Sequence, residues 1–114
     1  MTAPPILPSR ARAAGFWAAT IRNGYDAEVV WAAASDALAT MFDLRPTETR
    51  DLLDSDFGEL LGDDICFIEG GACDAGAIEH LIRARLDHLG WRRLYTQAIA
   101  AIRAVDSGPN TKNL

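Results

Sequence analysis

A chain of 114 residues has the length of one domain and can bury a core without disulfide or metal staples. Hydrophobic residues make up 49% and charged residues 24%, a globular mix that excludes a disordered chain, and no apolar run of about 18 residues exists to span a membrane. The formal net charge of −5 is unevenly placed: residues 1–25 carry +3, residues 26–80 carry −12 and residues 81–114 carry +4.

The hydrophobic share leans on alanine, valine is scarce, and no alternating β-branched run occurs. The expected fold is all-α, a compact single-domain bundle of five or six short helices. Residues 1–8, "MTAPPILP", hold three prolines and read as a flexible arm. Residues 9–105 read as the helical domain, and 106–114 as a tail. The N-terminus lacks the uninterrupted apolar stretch of a secretory signal, so a cytoplasmic location is expected.

The first helix is expected over "SRARAAGFWAATIRNG", with Ser9 as cap and Phe16, Trp17 and Ile21 inward. "YDAEVVWAAASDALATMFDL" is the strongest helical segment. Asp26 is its N-cap, and Val30, Ala33, Ala34, Ala37, Leu38 and Met41 fall at helical spacing. A third helix opens at Pro46, with Glu48 in its positive first turn and Leu52 and Leu53 inward. "SDFGELLGDDICFIEGG" predicts a helix with Phe57, Leu60, Leu61, Ile65 and Ile68 inward and Gly70-Gly71 as its stop. Gly58 and Gly62 weaken it by up to ~1 kcal/mol each, so either another helix packs closely there or the segment moves. Asp74 caps a fifth helix, with Ile78, Leu81, Ile82, Leu86 and Leu89 inward and Gly90 as stop. The last carries Trp91, Leu94, Tyr95, Ala98, Ile99, Ile102 and Val105 inward.

The stretch "DLLDSDFGELLGDD" supplies the candidate functional residues Asp51, Asp54, Asp56, Glu59, Asp63 and Asp64. Counted as a calcium loop from Asp54, glycine arrives one place early and the twelfth residue is Ile65, so the loop pattern fails. Asp56, Glu59 and Asp63 share a helix face, yet nothing nearby signals the desolvation that a catalytic carboxylate needs. Cys66, Cys73, His80 and His88 form a chemically legitimate zinc set, but their spacing is not a zinc finger's. On one helix the two histidines would lie about 12 Å apart along the axis. Cys66 reads as a small core residue. No nucleophile elbow and no phosphate-cradling loop occurs. The reading is therefore a protein without a catalytic site, metal or cofactor.

"DALATMFDLRPTETRDLL" resembles the helix-turn-helix pattern of bacterial repressors over about 20 residues: Leu38-Ala39, a turn at Asp43, apolar Leu44, then a second helix. It departs from that pattern at Asp43, where glycine is usual, and at Thr49. The would-be reading helix sets Glu48, Asp51, Asp54 and Asp56 against Arg50 alone, a charge that phosphates repel. The resemblance implies a helical corner more than DNA binding. Arg92 and Arg93 beside Trp91 and Tyr95 would suit nucleic acid, but arginines at both ends can instead neutralise the acidic middle.

The expected function is a non-enzymatic module that binds a basic protein or nucleoprotein complex through its acidic helices. By charge and size this is the manner of mobile-element inhibitors of the anti-CRISPR and anti-restriction kind, whose acidic surface occupies a basic nucleic-acid channel. The alternatives are a homodimeric structural or regulatory protein with "FWAATI" and "WRRLYTQAIAAI" as its seam, or a weak helix-turn-helix DNA-binding regulator.

Overall fold

The computed structural model describes residues 5–9, 14–68 and 74–112. Among the described residues there are six helices: α1 (Gly15–Arg22), α2 (Ala27–Phe42), α3 (Pro46–Asp54), α4 (Asp56–Asp64), α5 (Ala75–Arg85) and α6 (Leu89–Lys112), with a 3-10 turn (Ile65–Phe67) after α4. Among the described residues there is no strand, and no helix is long and apolar enough to cross a membrane. The fold is the expected all-α bundle.

Local chemistry accounts for most helix ends. The Asp26 carboxylate accepts from the backbone N–H of Glu28 and Val29 at 3.2 and 3.3 Å and starts α2. Asp74 accepts from Ala77 at 2.8 Å and starts α5. At α3 the Arg45 backbone N–H donates to Glu48 Oε1 at 3.0 Å, the backward half of a capping box, with Pro46 in the first turn. Asp43 ends α2 in the left-handed region, with φ 53°.

Three expected boundaries move. Ser9 does not cap α1. Gly15 has φ +65°, a conformation no helix interior contains, so no helix runs through it and α1 starts there. Ser9 instead bonds Asp54 through both its backbone N–H, at 3.3 Å, and its hydroxyl, at 2.7 Å. Gly90 does not stop α5. That helix ends at Arg85, where the Arg92 guanidinium donates to the Leu86 carbonyl at 3.2 Å, and Gly90 lies in the first turn of α6. Leu89, expected inside, is 78% exposed in consequence. The last helix continues past Val105 to Lys112, through most of the expected tail. Residues 1–4 of the arm, the expected Gly70-Gly71 stop and the last two residues lie outside the described residues.

The core is built of Phe16, Trp31, Leu38, Leu52, Leu53, Phe57, Leu61, Ile65, Ile78 and Ile82, all essentially without exposure. Trp31 is its largest member. It meets Phe16 and Trp17 edge-on at centroid distances of 6.1 and 5.8 Å, and its indole N–H donates to the Ile6 carbonyl at 3.1 Å, tying residues 5–9 to α2. A second aromatic group joins α6 to the body: Phe57 meets Trp91 at 5.4 Å and Tyr95 at 5.6 Å, and Tyr95 meets Phe42 at 4.6 Å.

The tightest packing joins α1 to α4 and α4 to the end of α3. A methyl group added at Gly62 would stand 2.6 Å from Ala19 Cβ. One at Gly58 would stand 1.9 Å from the Leu53 carbonyl oxygen, and one at Gly15 2.6 Å from the same oxygen. Of the two roles open to Gly58 and Gly62, close helix packing is the one the fold uses. Helix propensity favours alanine by up to ~1 kcal/mol at such positions, but overpacking costs ~1–3 kcal/mol and more against rigid backbone. Gly58→Ala is expected to lose about 3 kcal/mol or more in urea unfolding. Gly62→Ala should lose about 1–2 kcal/mol, with part of that recovered when Ala19→Gly is added.

Candidate functional site

The six candidate carboxylates do not form one free acidic face. Arg22 of α1 reaches across to α4, where its Nη2 lies 2.5 Å from Asp63 and 3.8 Å from Glu59, and the Asn23 amide adds a bond to Asp63 at 3.2 Å. Arg85 of α5 pairs with Asp64, which is mostly buried. Arg50 pairs with its neighbour Asp51 at 3.0 Å. Asp54 Oδ2 accepts from Ser9, while its Oδ1 is buried and has no hydrogen bond among the described residues. Asp56 is exposed, with no cation at ion-pair distance among the described residues. The basic ends therefore do fold back on the acidic middle, and the structure scatters the candidate residues among separate internal partners.

Glu48 is the most constrained carboxylate. Its side chain is 9% exposed, Arg45 Nη2 lies 3.1 Å from Oε2, and Arg103 of α6 approaches the same oxygen at 3.8 Å. Hydrogen bonds from the Arg45 side chain and backbone outweigh burial, and its pKa lies below the ordinary 4.5. The sequence marked Glu48 as a helix-start residue. The tie to Arg103 arises only because α6 packs against α3. Burial pushes the Tyr95 phenol above its ordinary value of 10.0, with Arg103 opposing.

The metal set does not assemble among the described residues. Cys66 is exposed rather than in the core and donates its S–H to the Asp63 carbonyl at 3.0 Å. His80 is exposed on α5, and His88 sits in the turn before α6 rather than on the same helix. No group of three His, Cys, Asp or Glu side chains is placed to hold an ion among the described residues. Cys73 lies outside them. In the two segments expected to form a dimer seam, Phe16, Trp17 and Trp91 are buried in the chain's own core, Leu94, Tyr95, Ala98, Ile99 and Ile102 are partly buried, and Ile21 is exposed.

The segment that resembles a repressor corner folds as two helices joined by residues 43–45. Helices α2 and α3 meet through the left-handed Asp43 and the buried Leu44. Thr49, a departure from that pattern, is buried with its hydroxyl donating to the Arg45 carbonyl at 3.0 Å.

A different acidic feature was missed. Glu28, Asp36 and Asp43 are eight and seven residues apart, which sets them on one side of α2, and all three are exposed. No cation lies within ion-pair distance of any of them among the described residues. Their spacing is present in the sequence, but they are far sparser than the six carboxylates of "DLLDSDFGELLGDD". Compared with known proteins, the chain matches no family model, no curated protein and no solved structure.

A group whose folded pKa is depressed stabilises the fold above its unfolded pKa, and that contribution disappears as pH falls through the folded value. Glu48 should therefore contribute fully above about pH 4.5 and progressively less below it. Glu48→Ala is expected to cost about 1–2 kcal/mol at pH 7 in urea unfolding, and clearly less at pH 3.

Proposed function

We propose that this chain is a non-catalytic binding module that docks against a basic surface of a protein or nucleoprotein partner. The observation that carries the reading is the row Glu28, Asp36 and Asp43: exposed carboxylates on one side of α2 with no internal cation among the described residues. Asp56 on α4 adds a fourth. Most of the acids of α3 and α4 already have partners within the chain, so they have less field to offer. Complementary charge of this kind accelerates encounter and selects partners more than it adds raw affinity.

Asp43 strengthens the case. It is a non-glycine residue in the left-handed region, and it places a negative charge at the negative end of α2. Both features oppose stability, and glycine or asparagine would relieve one or both. A residue costly to the fold is consistent with a use outside it. An inhibitor that occupies a basic nucleic-acid channel, as anti-CRISPR and anti-restriction proteins do, is the form of the reading in which negative charge matters most.

The test is capture of partners from bacterial lysate at low and high salt by the wild-type chain and by two variants. The combined Glu28→Gln and Asp43→Asn variant is expected to lose a salt-sensitive partner that wild type retains. It should also unfold at an equal or higher temperature, since Asp43→Asn removes about 0.3–1 kcal/mol of unfavourable helix-end charge. The Glu59→Gln and Asp63→Asn variant should keep the partner and lose stability. Loss of capture in the second variant alone would return the docking surface to α4. Capture indifferent to salt and to both variants would overturn the reading.

A further inference from the structure

A groove of about 490 Å³ lies between the residue 5–9 segment, α2 and the start of α3. Its walls are apolar and short: Ile6 from the N-terminal segment, Ala32 and Ala39 from α2, then Leu44 and Pro46 across the corner. Two polar groups of α2 open into it. Ser35 is 9% exposed and lines the groove, and its hydroxyl makes no hydrogen bond among the described residues. Asp36, the next residue, is exposed at the edge of the same groove with no cation partner among the described residues. Thr49, the remaining hydroxyl of the lining, is committed to the Arg45 carbonyl.

The Ser35 hydroxyl has no partner within the described chain because it opens to the groove, where water or a ligand satisfies it. The hydroxyl borders an open volume in the range of small-molecule sites, which are mostly apolar with a few convergent polar groups. A second groove, bounded by Tyr25, Val29 and Ala75, lacks this feature, because its two carboxylates, Asp26 and Asp74, already cap α2 and α5.

We propose that the Ser35–Asp36 groove binds a small protonated amine with an apolar body. The alkyl portion lies against Ala32, Ala39, Leu44 and Pro46. The ammonium faces Asp36 and also donates to the Ser35 oxygen, which accepts readily because its lone pairs are free. An anionic ligand is disfavoured by Asp36 and by the −5 net charge. A neutral alcohol of equal length would fill the apolar walls and forgo the ion pair.

The experiment is an NMR titration of the full chain with hexylamine at pH 7, and in parallel with 1-hexanol, following backbone amide shifts. Hexylamine is expected to give saturable shifts confined to residues 32–39 and 44–49, at an affinity about two- to fivefold above that of hexanol. Asp36→Asn should abolish that preference while leaving hexanol binding in place; Asp36 is exposed and unpaired among the described residues, so the fold is expected to persist. Ala39→Leu should fill the groove and weaken both ligands, and an unchanged amide spectrum away from the groove shows that it still folds. Three results would each overturn the proposal: no saturable shifts in the groove, shifts spread over the acidic surface, or an amine preference that survives Asp36→Asn. None of these depends on the partner-capture experiment, whose variants leave Asp36 intact.

Discussion

The close approach of α1 to α4 is the constraint on which the rest of the bundle depends. With glycine at position 62, α4 settles against Ala19 and the Phe16 backbone, and with glycine at 58 it folds tightly back on the end of α3. Bringing α1 that near places Phe16 and Trp17 against Trp31 of α2, so one short interface also organises the largest buried ring. Small residues lose little by burial and allow backbones to approach, and the dispersion gained along the contact offsets their poor helix propensity. The alanine-rich composition follows the same logic on α2, where Ala34 and Ala37 are buried.

That geometry also decides the electrostatics. Once α1 lies on α4, Arg22 comes within reach of Glu59 and Asp63. Once α5 and α6 pack on the other side, Arg85 reaches Asp64 and Arg103 reaches Glu48. In a sequence with +3, −12 and +4 along its length, folding pairs Glu48, Glu59, Asp63 and Asp64 with arginines of other helices. These exposed and half-exposed pairs contribute little individually, since solvent screens them. Their larger consequence is for recognition. They weaken the field of the densest acidic segment and leave the row of α2, with Asp56 of α4, without ion-pair partners among the described residues.

The α2–α3 corner concentrates the features that packing alone does not require. Asp43 takes a backbone conformation and a charge position that stability disfavours. The Ser35 hydroxyl opens into a groove walled by alanines and proline, and the Asp36 carboxylate stands at its edge with no cation partner among the described residues. Several polar groups elsewhere are matched: Asp26 and Asp74 cap helices, Thr20 bonds the Trp17 carbonyl, and Thr49 bonds that of Arg45; Asp54 Oδ1 is the exception, buried with no hydrogen bond among the described residues. Departures from local consistency gathered at one place are where function is expected in a folded chain.

The sequence by itself determined the class of the fold and most of its local rules. Helical spacing located Val30, Leu38, Leu52, Leu53, Phe57, Leu61 and Ile78 in the core. Asp26, Pro46 and Asp74 marked helix starts, because caps and turns are set by residues within one helical turn of each other. What only the tertiary structure decided depends on contacts between residues far apart in the chain. Trp31 takes the centre because α1 and the Ile6 carbonyl close over it. Ser9 bonds Asp54 instead of capping a helix, Gly58 and Gly62 admit neighbouring backbone, and Arg22, Arg85 and Arg103 select which carboxylates remain unpaired. Charge counted along the sequence identified an acidic middle, but which acids face solvent alone is a property of helix packing. No spacing rule within one helix contains that information.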